Sequence, residues 1–151
     1  MINILAVAFT TLAVAIAVPG NTRNAPPAAH NIIKVLQGAD WGWEDRHSTV
    51  SCKNNSHTIT FDLGNSQAVF RFKKPIIGAD NKFSDTAVYT LLGFGEDKIT
   101  MRINGEKRLD PDGKPVVWDL IFVNERTYTW RRHDWAEGAH TPYIRKCNDR
   151  P

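Results

Sequence analysis

Apolar side chains recur at every second position through most of the chain. In "HTITFDL" they are Ile59, Phe61 and Leu63, and in "QAVFRFK" they are Ala68, Phe70 and Phe72, with the turn formers Gly64, Asn65 and Ser66 between. "TAVYTLL" (Thr86 to Leu92) and "KITMRIN" (Lys98 to Asn104) form the next pair, joined through "GFGED". "DPDG", Asp110 to Gly113, has the residue order of a type I turn and joins "ITMRINGEKRL" to "KPVVWDLIFV". A turn through "NER" then leads into "TYTWRRHDW", and "PYIRK" supplies a last short strand before Cys147. With an opening strand at Trp41 to Asp45, about seven or eight antiparallel strands follow one another in hairpins.

The helical period appears only upstream, in Asn31 to Gln37, where Ile32, Ile33, Val35 and Leu36 make one or two amphipathic turns that Gly38 ends. Nothing from Gly38 to Asp134 reads as a long helix. The fold class is therefore all-β: an up-and-down antiparallel meander closing into a barrel, preceded by a short N-terminal helical segment. Closure also removes the exposed sheet edges that an open meander would leave.

One buried face fixes the register of the hairpin at residues 118–132. A three-residue loop, Asn124 to Arg126, pairs Phe122 with Tyr128, Leu120 with Trp130 and Trp118 with Arg132 inside, and sets Asp119 opposite Arg131 outside. Arg132 then sits at the inner end, over the Trp118 ring. The same reasoning across "DPDG" pairs Ile103 with Leu120 and Met101 with Phe122, and places Gly105 opposite Trp118.

Residues 1–17, "MINILAVAFTTLAVAIA", carry no charged side chain, and Ala15 and Ala17 are the small residues a signal peptidase requires. The rival reading is an uncleaved anchor. About 17 residues at about 1.5 Å each fall short of a hydrocarbon core of about 30 Å, which favours a cleaved signal peptide and no membrane span afterwards. Residues 18–29 read as a flexible linker rich in Pro and small polar residues, and 30–151 as a single barrel domain. Export makes a disulfide the reading for Cys52 and Cys147, the only two cysteines, with two free thiols as the alternative if export fails. The protein is thus expected to be secreted or periplasmic.

At 151 residues and 42% hydrophobic the chain can bury one core without metal. The net charge of +3, from 19 basic and 16 acidic residues, is spread along the chain, which argues against nucleic-acid binding and for weak attraction to anionic surfaces. The five histidines, 30, 47, 57, 133 and 140, contain no HExxH or HxH, so no metal site is read, no cofactor motif accompanies them, and isolated surface positions are expected. His133 and Asp134 are neighbours on opposite faces of a strand with no nucleophile motif, so no catalytic residue is assigned. Trp41 and Trp43 share one face with Asp45, and either close the end of the core or stack on a ligand. Asn54-Asn55-Ser56 is a glycosylation sequon, meaningful only in a eukaryotic secretory route.

A Trp near the first strand, an eight-strand meander, a Cys at the far C-terminus and a basic residue in the last strand resemble the lipocalin-like barrels of the calycin group. The resemblance covers most of the expected mature chain and makes Arg145 the candidate for the arginine that packs on the first-strand Trp. It implies non-catalytic binding of a small apolar or acidic amphipathic ligand in the open end of the barrel. The lining expected for that end is Trp41, Trp43, Tyr89, Trp118, Trp130 and Arg132, with Arg132 serving an acidic head group. The alternative is a protein-interaction or inhibitor module of the cell envelope, similar to small periplasmic lysozyme-inhibitor barrels, with a filled core and a partner bound at "GFGED" or "AEGAHTP".

The register yields an ordering of variants. Each buried aromatic of this hairpin contributes about 1.5 to 3 kcal/mol, whereas an exposed Asp–Arg pair contributes about 0 to 1 kcal/mol. Trp130→Ala is expected to lower the melting temperature far more than Arg131→Ala; equal melting temperatures would show a strand packed differently.

Overall fold

The structure is a computed structural model that describes residues 25–45, 47, 49–53, 55–78 and 81–147. Residues 1–17, read as a signal peptide, most of the stretch read as linker, and Asn54 of the sequon lie outside the described residues.

One helix precedes eight strands. Helix α1 spans Pro27–Gln37, and the strands are β1 (Trp41–Trp43), β2 (Ser56–Asp62), β3 (Gln67–Ile77), β4 (Phe83–Phe94), β5 (Lys98–Ile103), β6 (Trp118–Asn124), β7 (Thr127–Arg132) and β8 (Ile144–Lys146). They form one closed barrel in sequence order, every pair antiparallel, with β8 returning to β1. The fold expected from the periodicity is therefore the fold observed. The helix starts earlier than its apolar periodicity indicates, inside the stretch read as linker. Pro27 occupies the first turn, where its missing N–H is no loss, and Ala29 is fully buried.

The helix plugs one end of the barrel. Its inward face, Ile32, Ile33 and Leu36, belongs to the same core as Phe61, Leu91, Ile99 and Tyr128. Two hydrogen bonds fix its C-terminus: the Trp41 indole N–H donates to the Leu36 carbonyl at 2.9 Å, and the Phe61 N–H donates to Gln37 Oε1 at 2.7 Å. At this end the strands are joined by tight turns, whereas the longer segments 44–55, 104–117 and 133–143 gather at the opposite, open end.

The β6–β7 register is the one the buried face dictates: Trp118 faces Arg132, Asp119 faces Arg131, Leu120 faces Trp130 and Phe122 faces Tyr128. The β5–β6 register differs. Met101 pairs with Trp118 and Ile99 with Leu120, four residues away from the expected pairing, and Gly105 is not opposite Trp118. The reason lies in the connection. After Ile103 the chain turns sharply through Gly105, which has φ +78, and "DPDG" closes a small separate hairpin within the loop. There the Gly113 N–H donates to the Asp110 carbonyl at 3.0 Å and the Asp110 N–H to the Lys114 carbonyl at 2.8 Å. A shift of an even number of residues keeps every side chain on its face, so periodicity alone cannot detect it.

A bulge between Leu91 and Gly93 keeps both Leu91 and Phe94 on the core side, although three residues separate them. In β3 the ladder to β4 is broken between Arg71 and Ile76, a stretch that contains Pro75, which has no N–H to donate.

Cys52 and Cys147 form a disulfide with their Cα atoms 5.5 Å apart, joining the β1–β2 loop to the residue after β8. It lies directly on the outer face of Gly42. A Cβ on Gly42 would stand 2.9 Å from Val50 Cγ1, 3.0 Å from Cys52 Sγ and 3.1 Å from Cys147 Sγ. Gly42→Ala is therefore expected to destabilise by about 1–3 kcal/mol through overpacking against the bond. Gly93→Ala, where a Cβ meets nothing within 4 Å, is expected to be neutral. Thermal unfolding of the oxidised variants checks the contrast.

Candidate functional site

The barrel interior is filled from the helix up to Trp41, Tyr128 and Leu120, which are all fully buried. Above that layer the strands diverge, and the inward aromatics leave a cup of about 140 Å³. Trp43 reaches it from β1, His57 from β2, Phe70 and Phe72 from β3, Tyr89 from β4, Trp118 from β6 and Trp130 from β7, with Ile76 and Thr141 at the rim.

The rings support one another. Tyr89 stacks on Trp130 with centroids 5.4 Å apart, Phe70 lies 5.0 Å from Tyr89, and Trp118 meets Trp130 edge-on at 6.3 Å. Such pairs hold each ring in one orientation beyond what burial alone provides. Burial pushes the Tyr89 phenol up to about 12, so it is uncharged at neutral pH.

Four of the residues expected to line a ligand site thus meet in this cup: Trp43, Tyr89, Trp118 and Trp130. Trp41 lies below it as core, edge-on to Tyr128 at 5.1 Å. Arg132 is opposite Trp118 in register but is held by Asp134 through two bonds of 2.9 and 2.7 Å. The cation over the Trp118 ring is Arg108, at 5.8 Å, brought there by the 104–117 loop and gripped by Glu106 through Nε and Nη2 at 2.8 and 2.6 Å. Arg108 and Lys107 line a second hollow of about 450 Å³ that shares Tyr89 and Ile76 with the cup. Arg145 does not pack on the first-strand tryptophans. It lies 5.2 Å over Tyr143 and donates to Glu44 and Thr127 on the outside of the barrel.

His57, expected as an isolated surface histidine, is 3% exposed and stands inside the barrel. Its Nε2 is hydrogen-bonded to the Tyr128 hydroxyl across the core, its ring is packed by Trp43, Phe70 and Phe72, and its Nδ1 is buried without a partner. The missed signal is parity: His57 precedes Ile59 and Phe61 by steps of two and shares their face.

His133 is on the surface as expected but is not isolated. Its Nε2 is hydrogen-bonded to Asp119 at 2.9 Å, and Asp119 further accepts from Thr100 at 2.6 Å and Lys98 at 3.2 Å. Arg131 faces Asp119 in register yet donates instead to the Trp135 carbonyl at 3.2 Å. Thr100 and His133 both engage the same carboxylate oxygen, which braces the carboxylate and makes no relay to the hydroxyl. Among the described residues no group of three or more His, Cys, Asp or Glu is placed to hold a metal ion, and no helix is long and apolar enough to cross a membrane.

Burial lowers the His57 imidazole from 6.5 to about 4. Between those values the unfolded chain takes up a proton that the folded chain refuses, so the contribution to stability is complete above pH 6.5, falls as pH drops and levels off near pH 4. The full loss is about 3 kcal/mol. Unfolding measured from pH 7.5 to 4 is expected to show this slope in the native protein and a flatter profile in His57→Phe.

No protein-family model, no curated protein and no solved structure matches the chain.

Proposed function

We propose that the protein is an exported, non-catalytic β-barrel that binds a small apolar or amphipathic molecule in the aromatic cup at its open end, in the manner of the calycin barrels it resembles. The observation that carries the reading is the cup itself: seven aromatic and imidazole rings from six strands surround about 140 Å³ of space above an otherwise filled core. A concave, mostly apolar site with few polar groups is the ordinary form of a small-molecule site. The Cys52–Cys147 bond and the uncharged leader support export. Lys107 and Arg108 in the adjoining hollow, rather than Arg132, are the cations nearest to an acidic group projecting from the cup.

A protein partner is the second reading. It is favoured by Ile77 and Phe83, paired across β3 and β4 and 62% and 76% exposed at the open end. The loops singled out from sequence support it less. Segment 93–97 lies at the end closed by the helix, and segment 136–142 is held against β7 by bonds from Thr129 to the Thr141 carbonyl and from the Thr141 N–H to the Trp130 carbonyl, both at 2.8 Å.

Titration with small monocyclic aromatics, followed by tryptophan fluorescence and native mass spectrometry, is expected to show saturable one-to-one binding. Ile76→Trp, which fills the cup from its rim, is expected to abolish it with the melting temperature kept. Unchanged binding in that variant would place the ligand elsewhere.

A further inference from the structure

The size of the cup and one incompletely bonded nitrogen narrow the class of ligand. An apolar cavity of about 150 Å³ is known to hold one benzene molecule, so about 140 Å³ has room for a single six-membered ring.

The nitrogen is His57 Nδ1. Tyr128 is fully buried and its phenol is raised well above the usual range, so it keeps its proton. Its hydroxyl meets His57 Nε2. Were Nε2 to carry the imidazole proton, both the phenolic hydrogen and the unprotonated Nδ1 would be left without a partner among the described residues, two unpaired groups where the other tautomer leaves one. The phenol therefore donates to Nε2, and the neutral imidazole carries its proton on Nδ1. That N–H is buried and has no partner, a state that is unfavourable until an acceptor arrives. The half-buried rings of Trp43 and Phe72 flank the imidazole with centroids 6.3 and 5.4 Å away, and all three rings line the cup.

Resting on the reading of the cup as the ligand site, we infer that its ligand is a single aromatic ring bearing a neutral hydrogen-bond acceptor such as a carbonyl, which the His57 Nδ1–H holds. An uncharged donor among aromatic rings selects an uncharged acceptor. The nearby Arg108 is already engaged by Glu106, so it exerts little pull on an anion within the cup itself.

Acetophenone and α-methylstyrene test this, since they share a shape and differ by C=O against C=CH₂. In protein labelled with ¹⁵N-histidine, acetophenone is expected to shift the His57 Nδ1 resonance and its proton, while α-methylstyrene binds and leaves both in place. In His57→Phe, acetophenone is expected to lose about fivefold to tenfold in affinity and α-methylstyrene less than twofold. Should loss of the Tyr128 acceptor prevent that variant from folding, the resonance measurement on the unaltered protein decides alone. Binding of either compound with the His57 signals unmoved by acetophenone would overturn the inference and leave the cup as the ligand site. Failure of both compounds to bind would overturn the inference and the proposed function together.

Discussion

Closure of the barrel runs through three residues. Trp41–Gly42–Trp43 pair with β2 on one side and β8 on the other, so the whole interior depends on so short a strand being held from both sides and both faces. Inside, Trp41 is fully buried and bonded to the Leu36 carbonyl, which ties the strand to the helical plug. Outside, the absent side chain of Gly42 lets the disulfide lie flat on the strand, joining the residues that flank it in space although they are 95 positions apart in sequence. In a loop of that length the bond removes about 4 to 5 kcal/mol of unfolded-state entropy at most. It does so at the seam formed by β1, whose ladders to β2 and β8 are only two and three residues long.

From that seam follows the difference between the two ends. With the helix seated on Trp41, the lower interior is filled by aliphatic side chains together with Trp41, Phe61 and Tyr128. Aromatic side chains take over above, and their planar shapes pack edge-on or stacked without filling the volume. The His57–Tyr128 bond sits at the boundary between the two regions. It bonds the hydroxyl of the fully buried Tyr128 and leaves the other imidazole nitrogen without a partner.

Charged side chains followed local geometry more than strand register. Arg132 and Asp134 find each other two residues apart, as do Arg108 and Glu106, because such short-range pairs form with little loss of chain entropy. Asp119 recruits Lys98 and Thr100 from the neighbouring strand and His133 from the end of its own hairpin, in preference to the Arg131 that register sets opposite. Register fixes where backbones lie and which face a side chain takes. It does not fix which of several long polar side chains within reach makes the bond.

By itself the sequence determined the all-β class, the order of the strands and the centre of each, the pairing of Leu120 with Trp130 and Phe122 with Tyr128, and the partnership of its two cysteines. Each of these follows from a period of two, from turns of a few residues, or from there being only one possible pair. The convergence of Trp43, Tyr89, Trp118 and Trp130 on one cup was legible for the same reason, since inward-facing aromatics near one end of neighbouring strands must converge when the sheet closes. Tertiary structure alone decided the four-residue offset of β5 against β6, the burial of His57, the seat of Arg108 on Trp118 in place of Arg132, and the depth of the cup. An even shift in register preserves the hydrophobic pattern, and a polar residue on the inward face looks in sequence like a break in that pattern. What a side chain meets across a barrel is set by closure between strands 71 residues apart, as with His57 and Tyr128, and no local signal carries that information.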